Sequence, residues 1–186
     1  MHQPKSQLVT AKDVWKTWYP LALSWLMMGI ELPLLSAVVA RLKNPEVNLG
    51  AYGGVVFPLA LLIEAPIIML LTASTKLSRD LVSYKKLWRF MMLAGGTLSA
   101  LHLIVAITPL FDWIVGGLLG VEDDILEAGR LGMIIMTPWT WAIAHRRFNQ
   151  GVLIRFGRPR AVTWGTFVRL AADAAVLAAA YSLARL

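Results

Sequence analysis

The chain has 186 residues, 58% of them apolar and only 16% charged, with a mean hydropathy of +0.63, whereas an ordinary soluble domain carries about 25% charged residues. It has no cysteine, which excludes disulfides, thiolate metal sites and cysteine nucleophiles. The net charge of +7 raises nucleic acid as a partner, but the cations sit between apolar runs, so we read them as marks of membrane topology and expect no nucleic-acid partner.

About 20 apolar residues cross roughly 30 Å of hydrocarbon, and the sequence supplies candidate spans at 18–40, 52–75, 90–111, 131–154 and 162–183. Backbone in lipid must satisfy its own hydrogen bonds, which makes helices of such runs. The predicted fold is therefore all-α, a polytopic membrane bundle of about five transmembrane helices. The connections are too short for a separate domain, so residues 1–186 form a single transmembrane domain.

The first segment follows a basic stretch with Lys5, Lys12 and Lys16. Its apolar run is too long for a signal-peptide core, so we expect it to be retained. Trp15, Trp18 and Tyr19 stand where it enters the bilayer. Glu31-Leu32-Pro33 in this segment is matched by Glu64-Ala65-Pro66 in the second. Each proline removes a backbone N–H and crowds the carbonyl four residues earlier, so kinks are expected at Pro33 and Pro66, and likewise at Pro138 in the fourth segment. Both acids fall near mid-depth, where a carboxylate costs on the order of 3 kcal/mol unless paired, protonated or wetted. Glu31 and Glu64 are thus candidates for ion coupling or gating.

The third segment carries Gly95, Gly96, Ser99 and Ala100, small residues suited to close helix contact. The fourth is the least apolar, since a full crossing must include His145, Arg146, Arg147, Asn149 and Gln150. Arg146, Arg147, Asn149 and Gln150 are candidate lining residues of a cavity for an anionic solute, because guanidinium groups match carboxylate and phosphate oxygens; the alternative is that the arginines snorkel to head groups. The fifth segment has Arg169 and Asp173 four apart, a spacing for an intrahelical ion pair or for a role facing the bundle, and a packing row of Ala171, Ala175 and Ala179.

Lys76, Arg79, Lys85, Lys86 and Arg89 lie between segments two and three, and Arg155, Arg158 and Arg160 between four and five. The connection between three and four is acidic: Asp112, Glu122, Asp123, Asp124 and Glu127 against Arg130. Excess Lys and Arg mark cytoplasmic loops, which puts the N-terminus inside and the C-terminus outside, with Arg41 and Lys43 the contrary pair. We expect the plasma (inner) membrane as the location.

No P-loop, zinc-binding His pair or nucleophile elbow is present. His2, His102 and His145 lie on separate segments without ligand spacing. We expect no enzyme, no metal and no bound cofactor.

The run Trp18-Tyr19-Pro20-Leu21-Ala22-Leu23, then Glu31-Leu32-Pro33 and Val39-Ala40-Arg41-Leu42, resembles the first helix of the multidrug/oligosaccharidyl-lipid/polysaccharide exporter superfamily, with wording similar to the branch that contains the progressive ankylosis protein. Ala73-Ser74-Thr75-Lys76-Leu77-Ser78-Arg79-Asp80, and Thr137-Pro138 followed by Phe148-Asn149-Gln150-Gly151, resemble that family's second and fourth helices. The resemblance implies an exporter or flippase moving a small solute, anionic in that branch, by alternating access with proton or sodium coupling. In that picture Glu31 and Glu64 couple or gate, and Arg146, Arg147, Asn149 and Gln150 face the cavity. The chain resembles the first five helices of one such lobe, without the sixth helix or the second lobe. It is expected to work as a homodimer or with a partner lobe, or else to be a non-transporting scaffold, an accessory subunit or a fragment of a longer transporter.

Overall fold

The computed structural model describes residues 10–183, so Lys5 and His2 lie outside the described residues. Helix α1, Ala11–Val39, starts at a reciprocal cap: the Thr10 hydroxyl oxygen accepts the Asp13 N–H while the Asp13 carboxylate accepts the Thr10 N–H. The helix continues through Pro20 and Pro33. Helix α2, Pro45–Leu77, widens to π-type turns over Gly50–Val56 and is interrupted at Met69, three residues beyond Pro66. Asp80 caps α3, Leu81–Ile107, and its hydrogen bonds from the Ser83 N–H and then the Ser83 hydroxyl hold its carboxyl below the usual value of 3.8.

Helix α3 stops ahead of Pro109, which cannot continue it. A short α4, 110–118, again ends in π-type turns. Helix α5, Asp123–Arg155, carries Asp123 and Asp124 in its first turn and Arg155 in its last, charges that complement the helix dipole. Its C-terminus closes with Gly157 at φ 69, the Gly157 N–H donating to Ile154 and the Arg158 N–H to Leu153. Only glycine takes that backbone conformation without strain, and it allows α6, Pro159–Leu183, to begin two residues later.

The chain is all-helical among the described residues, and four helices, α1, α2, α3 and α6, are long and apolar enough to cross a membrane. This element set fits a polytopic membrane bundle. α5 is too polar to qualify by composition, yet it lies deepest in the bundle: it packs along both α2 and α3, with buried residues from Gly129 to Gly151. Val55 and Val56 of α2 abut Gly129 and Gly132, and Ser74 abuts Gly151, so α2 and α5 run parallel along their length. Helix α3 runs opposite to α5, with Gly95 against Ala144, His102 against Thr140, and the Ala106 carbonyl accepting from Arg130.

Two apolar clusters hold these three helices together, one around Val55, Val56, Phe111 and Met133, the other around Ile67, Met91, Ile143 and Phe148. Between them His102 is fully buried, its Nε2–H donating to the Met133 carbonyl at 3.1 Å and its Nδ1 2.9 Å from the Thr140 hydroxyl. A carbonyl can only accept, which leaves Nδ1 to accept from Thr140. Arg130 closes one end: it donates to the Ala106 and Thr108 carbonyls, pairs with Asp112, and lies over the Phe111 ring.

Helices α1 and α6 form a separate parallel pair. The Thr163 hydroxyl donates to the Pro20 carbonyl at 2.7 Å and the Ser24 and Thr166 hydroxyls share a bond of 2.7 Å. The pair meets the other helices chiefly where α6 touches α5 and α1 touches the start of α2. The small-residue expectation holds for Gly95, where a Cβ would come within 2.9 Å of Ala144, but Gly96 faces open space. The Ala171, Ala175 and Ala179 row is exposed and is not the packing seam. The polar bonds near Thr166 and Arg169 turn another face of α6 toward α1, so Ala174 and Ala178 lie across a shallow groove from Leu34 and Val38.

A Cβ on Gly151 would overlap the Ser74 hydroxyl and the Leu71 carbonyl, whereas Gly165 has nothing within 4 Å. Gly151→Ala is expected to destabilise the detergent-solubilised protein by about 1–3 kcal/mol, while Gly165→Ala leaves the melting temperature unchanged or raises it. Thermal unfolding followed by tryptophan fluorescence checks both.

Candidate functional site

Charged residues from four helices converge where the α1/α6 pair meets the α2/α3/α5 group. α1 contributes Glu31, α2 Glu64, α5 Arg146 and Arg147, and α6 Arg169 and Asp173. Helical rise places Arg169 about 15 Å from the start of α6, Arg146 about 14 Å from the end of α5 and Glu64 about 20 Å from the end of α2. These ends all lie on the same, basic side of the bundle, so the groups share a layer about 14–20 Å in from it, a depth comparable to half of a roughly 30 Å hydrocarbon core.

Arg169 is the knot of the α1/α6 pair. Its two terminal nitrogens each donate to one Glu31 carboxylate oxygen at 2.6 Å, and one of them also reaches Asp173 at 3.2 Å. The intrahelical pair with Asp173 thus exists, and the same guanidinium also faces inward to α1. A two-pronged contact of this kind fixes both orientation and register.

Glu64 is different. It is 6% exposed, makes no direct ion pair among the described residues, and its Oε2 has no hydrogen-bond partner. Its charged and polar neighbours are Arg146, Arg147 and Trp139. Arg147, 8% exposed, lies over the Trp25 ring at 5.6 Å from its centre, a cation–π contact. Arg146 is half-buried and lies within electrostatic reach of Glu31, Glu64, Arg147 and Arg169. Both arginines turn into the protein instead of extending to the surface.

Arg146, Asn149, Gln150 and His145 line one wall of a cleft of about 280 Å³, with Thr166 and Arg169 on the other. Three of the four expected lining residues are therefore on this cleft. Arg147 is not; it faces Trp25 and Glu64 beside it. Asn149 donates to the His145 carbonyl at 2.8 Å, whereas the Gln150 Oε1 and the Arg146 Nε have no partner. The formal charges of the cluster balance, Arg146, Arg147 and Arg169 against Glu31, Glu64 and Asp173, but unevenly: Arg169 engages two of the acids, which leaves Arg146 and Arg147 without a direct ion pair. No group of His, Asp and Glu among the described residues is arranged to hold a metal ion.

Sequence reading did not find Trp25, Trp139 or Thr166 as parts of this site. Nothing in their local spacing relates them to the acids, since each reaches the cluster only through tertiary packing. Pro33 and Pro138 lie within continuous helices, and the break in α2 falls just beyond Pro66. No family model, curated protein or solved structure matches the chain, so the resemblance to the exporter superfamily rests on its own residues alone.

Removing Arg169 leaves two acids facing each other, while removing Glu31 with it leaves one. Arg169→Leu is expected to destabilise more than the double variant Arg169→Leu/Glu31→Leu, with a coupling of about 1–3 kcal/mol in a double-mutant cycle of unfolding in detergent.

Proposed function

We propose that the chain is a transporter-type membrane protein, exporter or flippase in kind, that moves a small anionic solute past the seam between the α1/α6 pair and the α2/α3/α5 group. In this reading the bundle crosses five times, α5 included, because α5 runs parallel to α2 along its length. The basic ends of the helices face the cytoplasm, in keeping with the positive-inside rule, and the membrane is the plasma membrane. One observation carries the reading: Arg146 and Arg147, about 14 Å in from the end of α5, have no direct ion pair and lie at or beside a cleft that Asn149, Gln150 and Thr166 also line. Charges at that depth are rare outside solute and ion pathways.

Each residue has a distinct role in the proposal. Arg146, Asn149 and Gln150 receive the anion. Glu64 competes with it for the arginines, so a proton or sodium ion at Glu64 changes their hold on the anion; this links a cation gradient to the solute. Arg169, Glu31 and Asp173 lock α1 to α6, so that the pair moves as one body against the other three helices. Alternating access then requires a second lobe, supplied by another copy or by a partner. The bidentate Glu31–Arg169 contact also favours a second reading, an accessory subunit in which the pair is a purely structural clamp.

Purified protein in proteoliposomes should carry phosphate or a small carboxylate down an imposed proton or sodium gradient. Arg146→Gln is expected to reduce flux at least tenfold, and Glu64→Gln to leave flux independent of the cation gradient. Flux equal to that of empty liposomes, or unchanged by Arg146→Gln, overturns the transport reading in favour of the accessory subunit. A detergent-corrected protein mass near twice 20.6 kDa is the companion expectation for a homodimer.

A further inference from the structure

On the basic side of the bundle, α1 and α6 splay enough to leave a groove of about 510 Å³. Lys16 and Arg160 stand at its mouth, and Tyr19, Leu23, Met27 and Phe167 continue it inward. Neither cation makes an ion pair among the described residues; the nearest acid is Asp13, one turn from Lys16 on the same helix and engaged by Thr10. Trp15 and Trp164, 61% and 67% exposed, flank the mouth. Indole rings favour the level of the lipid head groups, which sets the depth of the two cations. The floor is sealed by the Thr163–Pro20 and Ser24–Thr166 hydrogen bonds, which use up the polar groups beneath the groove.

We propose that this groove binds one anionic phospholipid, with its phosphate between Lys16 and Arg160 and one acyl chain lying along Leu23, Met27 and Phe167. Length supports that occupant. From Lys16 to Met27 is eleven residues, about 16 Å of helix, which matches the roughly 15 Å of one leaflet's hydrocarbon. Charge supports it too, because two unpaired cations at the head-group level attract an anionic lipid over a zwitterionic one. A second copy of the chain suits the site poorly: its own face there carries the same uncompensated Lys16 and Arg160. The lipid would lie against the outer flank of the α1/α6 pair, on the opposite side from the charged cleft. The site does not depend on the transport reading.

The test uses the full chain in nanodiscs of phosphatidylcholine with and without a minority of phosphatidylglycerol, with bound lipid counted by native mass spectrometry and stability followed by melting. One retained phosphatidylglycerol per chain and a higher melting temperature are expected. Lys16→Gln/Arg160→Gln should lower the preference for phosphatidylglycerol about tenfold or more. Met27→Trp, which fills the groove, should reduce retention of either lipid. Lys85→Gln/Lys86→Gln removes the same charge from the α3 start and should retain the preference. Equal binding of the two lipids, or equal loss in both charge-removal variants, overturns the proposal. So does a dimer cross-linked through Trp164 that excludes the lipid.

Discussion

A charge at the middle of a bilayer costs about 3 kcal/mol or more unless something answers it, and six such residues gather at one layer of this bundle. They answer one another unequally. Arg169 satisfies Glu31 directly and touches Asp173, while Glu64, Arg146 and Arg147 hold together at longer range, with polar atoms left open. The first arrangement ties α1 to α6 directly, and the second has no direct ion pair among the described residues. That difference, more than the number of charges, separates the residues that hold the seam from those that can act at it.

The division into a helix pair and a helix trio follows from the same constraint. α5 carries too many polar groups to face lipid, so the other helices must shield it, and its glycines let α2 approach closely enough to do so. Gly129, Gly132 and Gly151 all face α2. On the far side α5 meets α6 along the charged cleft and α1 through Arg147 over the Trp25 ring. The two apolar clusters lie within the α2/α3/α5 group, and the contacts that join it to the α1/α6 pair are largely polar.

Much of this was legible in the sequence because it obeys local rules. Apolar length gave the helices, and the pairing of acid and proline in Glu31-Leu32-Pro33 and Glu64-Ala65-Pro66 singled out two residues of the cluster. Arg146, Asn149 and Gln150 were found because a full crossing leaves them no other depth. What stayed hidden depends on rotation about helix axes. Arg169 had a visible partner four residues away in Asp173, yet its shorter contacts are with Glu31; no periodicity reports a match across the bundle. The alanine row of α6 has the right spacing on the wrong face, since hydroxyls and charges, not small side chains, decided which face meets α1. The π-type turns at Gly50–Val56 have no sequence signature in hydropathy, because they redistribute the backbone without altering composition.

The pairing of the first long helix with the last also bears on how the protein is made. Glu31 and Arg169 are 138 residues apart, and at a ribosomal rate of about 5–20 residues per second the acid leaves the ribosome about 7–28 s before its guanidinium. Through that interval α1 carries an unanswered carboxyl into or beside the bilayer. The nascent helix must remain at the interface or be held by the insertion machinery until α6 emerges. Arrival of α6 then answers the acid of α1, and a chain interrupted before α6 exposes the kind of intramembrane acid that quality control can recognise.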